Sequence, residues 1–516
     1  MGYDERVWLH FYEQGVPHTM EYPRMPLYGF LEQAAADFPD NRALSYLGRD
    51  ISYAELDALV NRAANAFLGL GLERGDRVAL YLANTPQFII SLYGALKIGA
   101  VVVPINPLLT AEEVAYELSD SGARALVVMS RFYPIIREIR ERTQLEQVIV
   151  TNVKSFFPWP KRLLFTLFKE GKDRVRIAPG DHELEGLMRE NDACWNAAAV
   201  DCDAIALLQY TSGTTGMPKG VMLSHYNLVV NALQCRRWVV DTVDGEERVL
   251  GWLPFFHSFG MTACLGFTLS CAGTLVLIPD PHDLEYILRT IEAERITMLP
   301  GVPTMYAALG RFEKTPDYNL GSIRACISGG APLLESVKAR FVALTGAKLV
   351  EGYGLSEASP VTHANPINGV NKADSIGIPM PDTLCRVVDF ESGEHDVPVG
   401  EAGELIVKAP RHPEIDGGGG RRHHEAHPVK AGHHRQAVGA DLVGHVAVGG
   451  DAVRTHDHPT YAPGAHACRG ASERTTTCPA LSLSMNSRHR STAASWTPCW
   501  RIRPCRRCSA ASIPPG

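Results

Sequence analysis

The chain has 516 residues, 45% of them hydrophobic, and a formal net charge of −7. That length predicts several domains with apolar residues enough for large cores. Residues 1–410 carry 36 Lys+Arg against 50 Asp+Glu, an acidic balance that argues against nucleic acid as a partner.

In chain order, Ser52 is an N-cap for a helix carrying Leu56, Leu59, Val60, Ala63 and Phe67 on one face. Residues 77–82 read as a strand, 87–97 as a helix, 100–103 as a strand, 110–119 as a helix and 125–129 as a strand. Strand-helix-strand repeats of this length imply a parallel sheet covered on both faces. Residues 153–176 interrupt the pattern: Phe156, Phe157, Trp159, Leu163, Leu164, Phe165, Leu167 and Phe168 are interleaved with Lys161, Arg162, Lys169, Lys172 and Arg174. Such a basic and aromatic stretch either lies in a membrane interface, through 155–174, or packs on the body with its basic groups solvated. The alternation returns later, helical at 227–235 and 283–294, extended at 273–278 and 298–300. From about residue 368 short β-rich pieces such as 385–388 and 404–407 suit a small barrel or sheet.

The apolar run 204–208 leads as a buried strand into Tyr210-Thr211-Ser212-Gly213-Thr214-Thr215-Gly216-Met217-Pro218-Lys219-Gly220. Glycines let backbone amides approach an anion, and the hydroxyls and Lys219 add donors and charge. The ligand this predicts is a phosphate chain. It is not a Walker loop, because Pro218 stands where that pattern needs glycine and Gly220 where it needs Ser or Thr.

This loop resembles the signature of the acyl-adenylate-forming enzymes: acyl-CoA synthetases, luciferases and peptide-synthetase adenylation domains. Four further blocks follow in that family's order: Leu253-Pro254-Phe255-Phe256-His257-Ser258-Phe259-Gly260, Ser328-Gly329-Gly330-Ala331-Pro332, Glu351-Gly352-Tyr353-Gly354-Leu355-Ser356-Glu357 and Gly403-Glu404-Leu405-Ile406-Val407-Lys408. The resemblance runs from about residue 5 to residue 410. It implies a large adenylating N-terminal domain, residues 1–410, of two layered α/β subdomains plus a small distorted β-barrel. It implies ATP, Mg2+ and CoA as cofactor and cosubstrates and a carboxylic acid as substrate.

By the same resemblance Thr211, Ser212, Gly213, Thr214, Thr215, Gly216 and Lys219 hold the phosphates. Thr211 and Glu357 hold the magnesium, a hard ion suited to oxygen ligands. Tyr353 stacks on adenine, Gly329, Gly330, Ala331 and Pro332 form the other wall of its slot, and Gly352, Gly354 and Ser356 complete the segment. His257 orients the acid or gates access; taken alone it reads as a satisfied interior histidine. Chain length would depend on an apolar tunnel behind His257, with Phe259, Met261, Leu265, Val302, Thr304, Met305 and Tyr306 as candidates. Residues 233–240 offer no evident Asp to anchor a substrate amino group. The opening residues 7–38 and the basic-aromatic insert resemble bacterial long-chain fatty-acid–CoA ligases; medium-chain or aryl acids are the alternative.

Residues 411–516 differ in kind. They hold 14 Lys+Arg against 7 Asp+Glu, no Phe, Lys430 as the only lysine, and eleven of the 19 histidines. His423, His424, His427, His433, His434 and the pair Cys505 and Cys508 lack the context of a metal site. The Thr-Gly-Asp ribose segment, the hinge and the lysine-bearing C-terminal lid domain that the family carries here have no counterpart; Gly449-Gly450-Asp451 is a shadow of the first. The composition suits GC-rich coding DNA read in a shifted frame from about residue 410, or a native tail with too little apolar surface to fold. Either way the small C-terminal domain is expected to be missing or disordered and thioester synthesis impaired. A non-catalytic nucleotide- or acyl-binding remnant is the second reading. The polar opening Tyr3-Asp4-Glu5-Arg6, the lack of a spanning apolar run and the unpatterned cysteines of 1–410 predict a cytoplasmic location, with the inner membrane face as a place of peripheral contact.

Overall fold

Alternating side chains on short apolar strands decide the layering. The computed structural model describes residues 6–197, 199–211, 218–393, 395–398 and 400–409, with three short strands further on, Val429–Lys430, Val438–Gly439 and Val446–Val448. These residues fall within one compact unit, Met1–Asp451. In strand Arg77–Tyr81, Val78 and Leu80 enter one core while Ala79 and Tyr81 enter a second, on the other face. The central strand Ala125–Met129 is buried at every position, as a strand covered on both sides must be.

The first sheet has seven strands in the order His182–Glu183, Gln147–Thr151, Ala125–Met129, Arg77–Tyr81, Val101–Pro104, Ile205–Thr211 and Lys219–Ser224. Neighbours pair in parallel except for the last two, a hairpin with Thr211 opposite Lys219. A second sheet runs Arg49–Ser52, Arg42–Tyr46, Thr274–Leu277 and Arg248–Gly251. Met298 bridges it in parallel to Ala325–Ser328, which pairs with Lys348–Gly354. The two layered α/β subdomains are thus both present, and the expected extended piece at 298–300 is that bridge.

Helix ends follow local chemistry. Helix Tyr53–Gly69 starts at Ser52, whose Oγ accepts from the Glu55 amide at 3.2 Å, and it buries Leu56, Val60, Ala63 and Phe67. Helix Ala111–Ser121 starts with a reciprocal cap between Thr110 and Glu113. Helix Pro86–Lys97 is buried along its whole length and packs on Tyr53–Gly69. The buried Lys97 ammonium is offset by Glu32 and Asp57, both at 2.9 Å, and by Asn61 Oδ1 at 2.6 Å.

The expected small barrel is a departure. Strands Val361–Ala364 and Ser375–Pro379 continue the sheet from Lys348–Gly354, while Leu384–Val388 pairs with Glu404–Lys408. Val446–Val448 and Val429–Lys430 extend these two sheets, but pieces so short do not close them, and no closed barrel exists among the described residues. Among the described residues no helix is long and apolar enough to cross a membrane.

The contact between the two central helices gives a stability test. A Cβ on Gly94 would lie 2.9 Å from Ala63 Cβ and 3.2 Å from the Ala64 amide nitrogen. Alanine gains about 0.5–1 kcal/mol in a helix over glycine, but overpacking costs about 1–3 kcal/mol. Gly94→Ala should therefore lower the urea midpoint; a raised midpoint would show that the helices can separate without loss.

Candidate active site

Three segments and the end of a fourth strand lie at the carboxyl ends of parallel strands, the edge where open α/β sheets bind ligands. Arg77–Tyr81 leads to Asn84, Arg248–Gly251 to residues 252–260, Ala325–Ser328 to Gly329, and Ile205–Thr211 to the phosphate-loop signature. Asn84 Nδ2 donates to the Leu253 carbonyl at 2.7 Å and the Gly251 carbonyl at 3.1 Å, and its Oδ1 accepts from the Phe255 amide at 3.0 Å. Gln209 Nε2 donates to the Phe256 carbonyl at 2.6 Å, tying the strand that ends in Thr211 to the same segment.

His257 sits at the surface of this junction. Its Nδ1 accepts from the Phe259 amide at 3.3 Å, so the neutral ring carries its proton on Nε2. Loss of solvation on its packed side holds its pKa below the ordinary 6.5. The imidazole is therefore neutral at pH 7, with an N–H free to donate to an acid or phosphate oxygen. The next residue, Ser258, shares a hydrogen bond with Ser356 at 3.0 Å between hydroxyl oxygens. The Ser356 hydroxyl, expected on a phosphate, thus also joins two signature blocks.

The two blocks of the expected adenine slot begin on paired parallel strands, with Ser328 opposite Glu351. Gly329 is buried, and a Cβ there would stand 3.0 Å from the Phe259 ring. Gly330, Ala331 and Pro332 are exposed beside it, and the Glu351 carboxylate accepts from the Leu333 amide at 3.3 Å. Burial raises Glu351 to about 7. Tyr353 is half-buried and lies opposite His363 on the neighbouring strand, their rings edge-on at 6.1 Å. Burial raises the Tyr353 pKa, and the nearby Glu357 charge adds to it. Gly354 tolerates no side chain, since a Cβ would come 2.1 Å from the Pro360 carbonyl oxygen.

Thr211 and the exposed Lys219 face each other across the base of the phosphate hairpin. Tyr210 donates to Asp120 at 2.6 Å and Tyr116 donates to the Pro218 carbonyl at 3.1 Å, so helix Ala111–Ser121 holds both sides of that hairpin. Ser212, Gly213, Thr214, Thr215 and Gly216 lie outside the described residues, as do the His and Cys pairs beyond residue 410. Glu357 is exposed on the turn Ser356–Ala358, which borders strand Lys219–Ser224, and has no ion-pair partner among the described residues. A carboxylate with no ion-pair partner among the described residues, beside the hairpin that carries Lys219, would suit a hard divalent cation.

Behind Phe259 lies an apolar cavity lined by Cys235, Trp238, Val239, Ala263, Phe267 and Met298 among others. Of the tunnel residues expected from sequence, only Phe259 lines it; Met261, Leu265 and Tyr306 are buried in the core instead. Phe259, Ala263 and Phe267, spaced four apart, share one face of the helical stretch that includes the π-helix Gly260–Gly266, and Met261 and Leu265 lie on the other. Asn84, Tyr116, Asp120 and His363 escaped the sequence reading, for their partners lie far along the chain and no local pattern marks them.

These features define an adenylate-forming site, and the chain belongs to the AMP-binding enzyme family, whose profile matches residues 31–412. It is 40% identical over 414 residues to the long-chain-fatty-acid–CoA ligase of Bacillus subtilis (strain 168), covering 79% of this chain and 73% of that protein. Among solved structures it resembles the anthranilate CoA ligase AuaEII in complex with anthranoyl-AMP, with a TM-score of 0.67 and 26% identity over 75% of this chain and 71% of that one. It also resembles the N-terminal domain of FACL13 from Mycobacterium tuberculosis, with a TM-score of 0.61 and 26% identity over 74% of this chain and 89% of that domain.

The state of His257 sets a pH expectation. Its folded pKa is lowered, so the stability its neutral form contributes is present above 6.5 and is lost as pH falls through the lowered value. Acid-dependent pyrophosphate release should hold its rate at pH 6.5 and decline below it, and His257→Gln should flatten that limb. A rate already halved at pH 7 through a group that His257→Gln removes would contradict the assignment.

Proposed function

We propose that this chain is an ATP-dependent long-chain fatty-acid–CoA ligase by descent, which forms an acyl-adenylate and is impaired in passing the acyl group to CoA. The 40% identity over 414 residues to a ligase named for long-chain acids carries the substrate class. The void behind Phe259, with a lining that is apolar or thiol-bearing throughout, agrees with a hydrocarbon tail but at about 30 Å³ would have to widen to hold one. Cys235, Trp238 and Val239, from the end of helix His225–Trp238 and the residue after it, offer a hydrocarbon tail surface and offer an amino group no carboxylate. The relative named for long-chain acids supports the same choice, although the resemblance to an anthranilate ligase keeps aryl acids as the competing class.

The roles rest on the family resemblance, and the geometry agrees with them. His257 donates through Nε2 to the substrate carboxylate and aims its oxygen at the α-phosphorus, while Lys219 and the hydroxyl of Thr211 meet the phosphates. Tyr353 and Gly329 to Pro332 clasp the adenine. Glu357, with Thr211, would hold magnesium, which supplies charge neutralisation on the triphosphate when bound. Residues 1–410 form the adenylation domain, and the match to an N-terminal domain over 89% of its length supports that division. Residues 411–516 stand where the family has its catalytic lid, without the lid's lysine. A cytoplasmic enzyme in contact with the inner membrane face through residues 155–174 suits a substrate that partitions into bilayers.

Purified chain with ATP, magnesium, CoA and palmitate separates the half-reactions. Pyrophosphate release should depend on palmitate, and thioester formation should be slower by at least about 10²–10³, the usual effect of losing one charge stabiliser. Glu357→Gln should weaken ATP binding by calorimetry and cut pyrophosphate release. Thioester formed as fast as pyrophosphate would overturn the impaired-lid reading, and ATP affinity indifferent to both magnesium and Glu357→Gln would sink the metal assignment.

A further inference from the structure

Helix Ala111–Ser121 is fixed at both ends. It starts at the reciprocal cap between Thr110 and Glu113 and stops at Gly122, whose φ of 62° is the left-handed turn that closes a helix. Val114, Ala115 and Leu118 bury one side in the core on the Ala79 and Tyr81 face of the first sheet. Tyr116 and Asp120 are four residues apart and therefore neighbours on one face. From there two bonds cross to the phosphate hairpin, one to each limb. Tyr210 Oη donates to Asp120 Oδ2 at 2.6 Å, and Tyr116 Oη donates to the Pro218 carbonyl at 3.1 Å. Tyr210 and Pro218 adjoin Thr211 and Lys219, the facing pair at the base of the loop.

The hairpin needs such an anchor. Strand Lys219–Ser224 is the last in its sheet, with a sheet neighbour on one side only, and Lys219, Gly220 and Met222 are exposed. The ring of Tyr210 lies over Gly220, its register partner, where a Cβ would stand 3.3 Å from Tyr210 Cζ. Holding the phenol therefore holds both strands. The phenol is also kept as a donor: burial, the bond to Asp120, and the nearby Asp120 and Glu117 carboxyls push its pKa above the usual 10. A loop whose ends are unfixed must be ordered by its ligand, and that ordering is lost from affinity. Fixing the ends beforehand removes the cost.

We propose that Asp120 and Tyr116 are positioning residues for ATP. They act through Tyr210 and Pro218, holding the two limbs of the hairpin at the spacing in which Thr211 and Lys219 meet the triphosphate. This deepens the phosphate-loop reading of residues 211–219 and rests on it, whatever the acid.

The two hydroxyls can be removed with little change of shape, by Tyr116→Phe and Tyr210→Phe in the full chain. One readout is the pair of KM values for palmitate-dependent exchange of labelled pyrophosphate into ATP. The other is calorimetric binding of magnesium tripolyphosphate, which needs no acid. Together the substitutions should raise the KM for ATP and weaken tripolyphosphate at least about fivefold, the net effect of two ordinary hydrogen bonds. The KM for palmitate should not move. Asp120→Ala should match Tyr210→Phe and add nothing to it, since the pair acts as a unit. Asp120→Asn, which keeps an oxygen acceptor, should restore most of the loss. Asp120 is exposed, so its replacement leaves no buried void, and circular dichroism checks the fold.

Unmoved tripolyphosphate binding in the double variant would overturn the proposal. So would an equal rise in both KM values, which marks general loosening, a parent chain that binds no tripolyphosphate, or an Asp120→Ala loss that adds in full to that of Tyr210→Phe. A parent chain that binds tripolyphosphate and loses it through these substitutions, yet shows no exchange with palmitate, faults the fatty-acid reading alone and supports the positioning role.

Discussion

One amide side chain joins the two sheets where the site begins. Asn84 follows a strand of the first sheet, and its three hydrogen bonds hold Gly251, Leu253 and Phe255, which follow a strand of the second. The group is buried, so each bond is strong and an unmade one would leave a desolvated polar atom costing about 1–3 kcal/mol. With residues 251–255 fixed, the next residues have little freedom. Phe256 is tied to Gln209, His257 turns its Nδ1 onto its own segment, and Ser258 reaches Ser356. The hairpin strand, the histidine segment and the Ser356 turn are thereby tied to one frame and to one another.

That frame divides the labour between a polar rim and an apolar interior. The rim carries Lys219, Glu357 and the neutral His257, all exposed. Behind Phe259 the wall turns apolar at once. A carboxylic acid with a hydrocarbon tail matches this division, with its head at the rim and its tail behind. Helix Trp159–Phe168 also leaves apolar bulk exposed, in Trp159, Leu163, Leu164, Leu167 and Phe168.

Much of the fold was legible because its causes are local. Ser52 and Thr110 announce helix starts through caps that span only three residues, and the strand at 125–129 is a run that only a doubly covered strand uses. The signature blocks were legible for the same reason; Thr211 pairs with Lys219 across one hairpin, and Ser356 meets Ser258. What was not legible depends on long-range or unusual geometry. Asn84 acts on residues about 170 positions away, and His363 backs Tyr353 across a strand pair. The cavity lining was not legible either, since it gathers side chains from stretches as far apart as Cys235, Phe267, Met298 and Met380. The basic and aromatic composition of 153–176 was visible in sequence, but the direction of its apolar half was not: that depends on Phe165 meeting Phe157 and on Lys161 meeting the Leu47 carbonyl.

The account's central claim is that the half-site for acyl-adenylate formation lies in the body, ahead of residue 411. Palmitate-dependent exchange of labelled pyrophosphate into ATP measures that half-reaction without CoA. The account predicts exchange above the acid-free background that needs magnesium and drops with Glu357→Gln. A folded chain that binds ATP yet shows no exchange, or exchange that ignores palmitate, would contradict it.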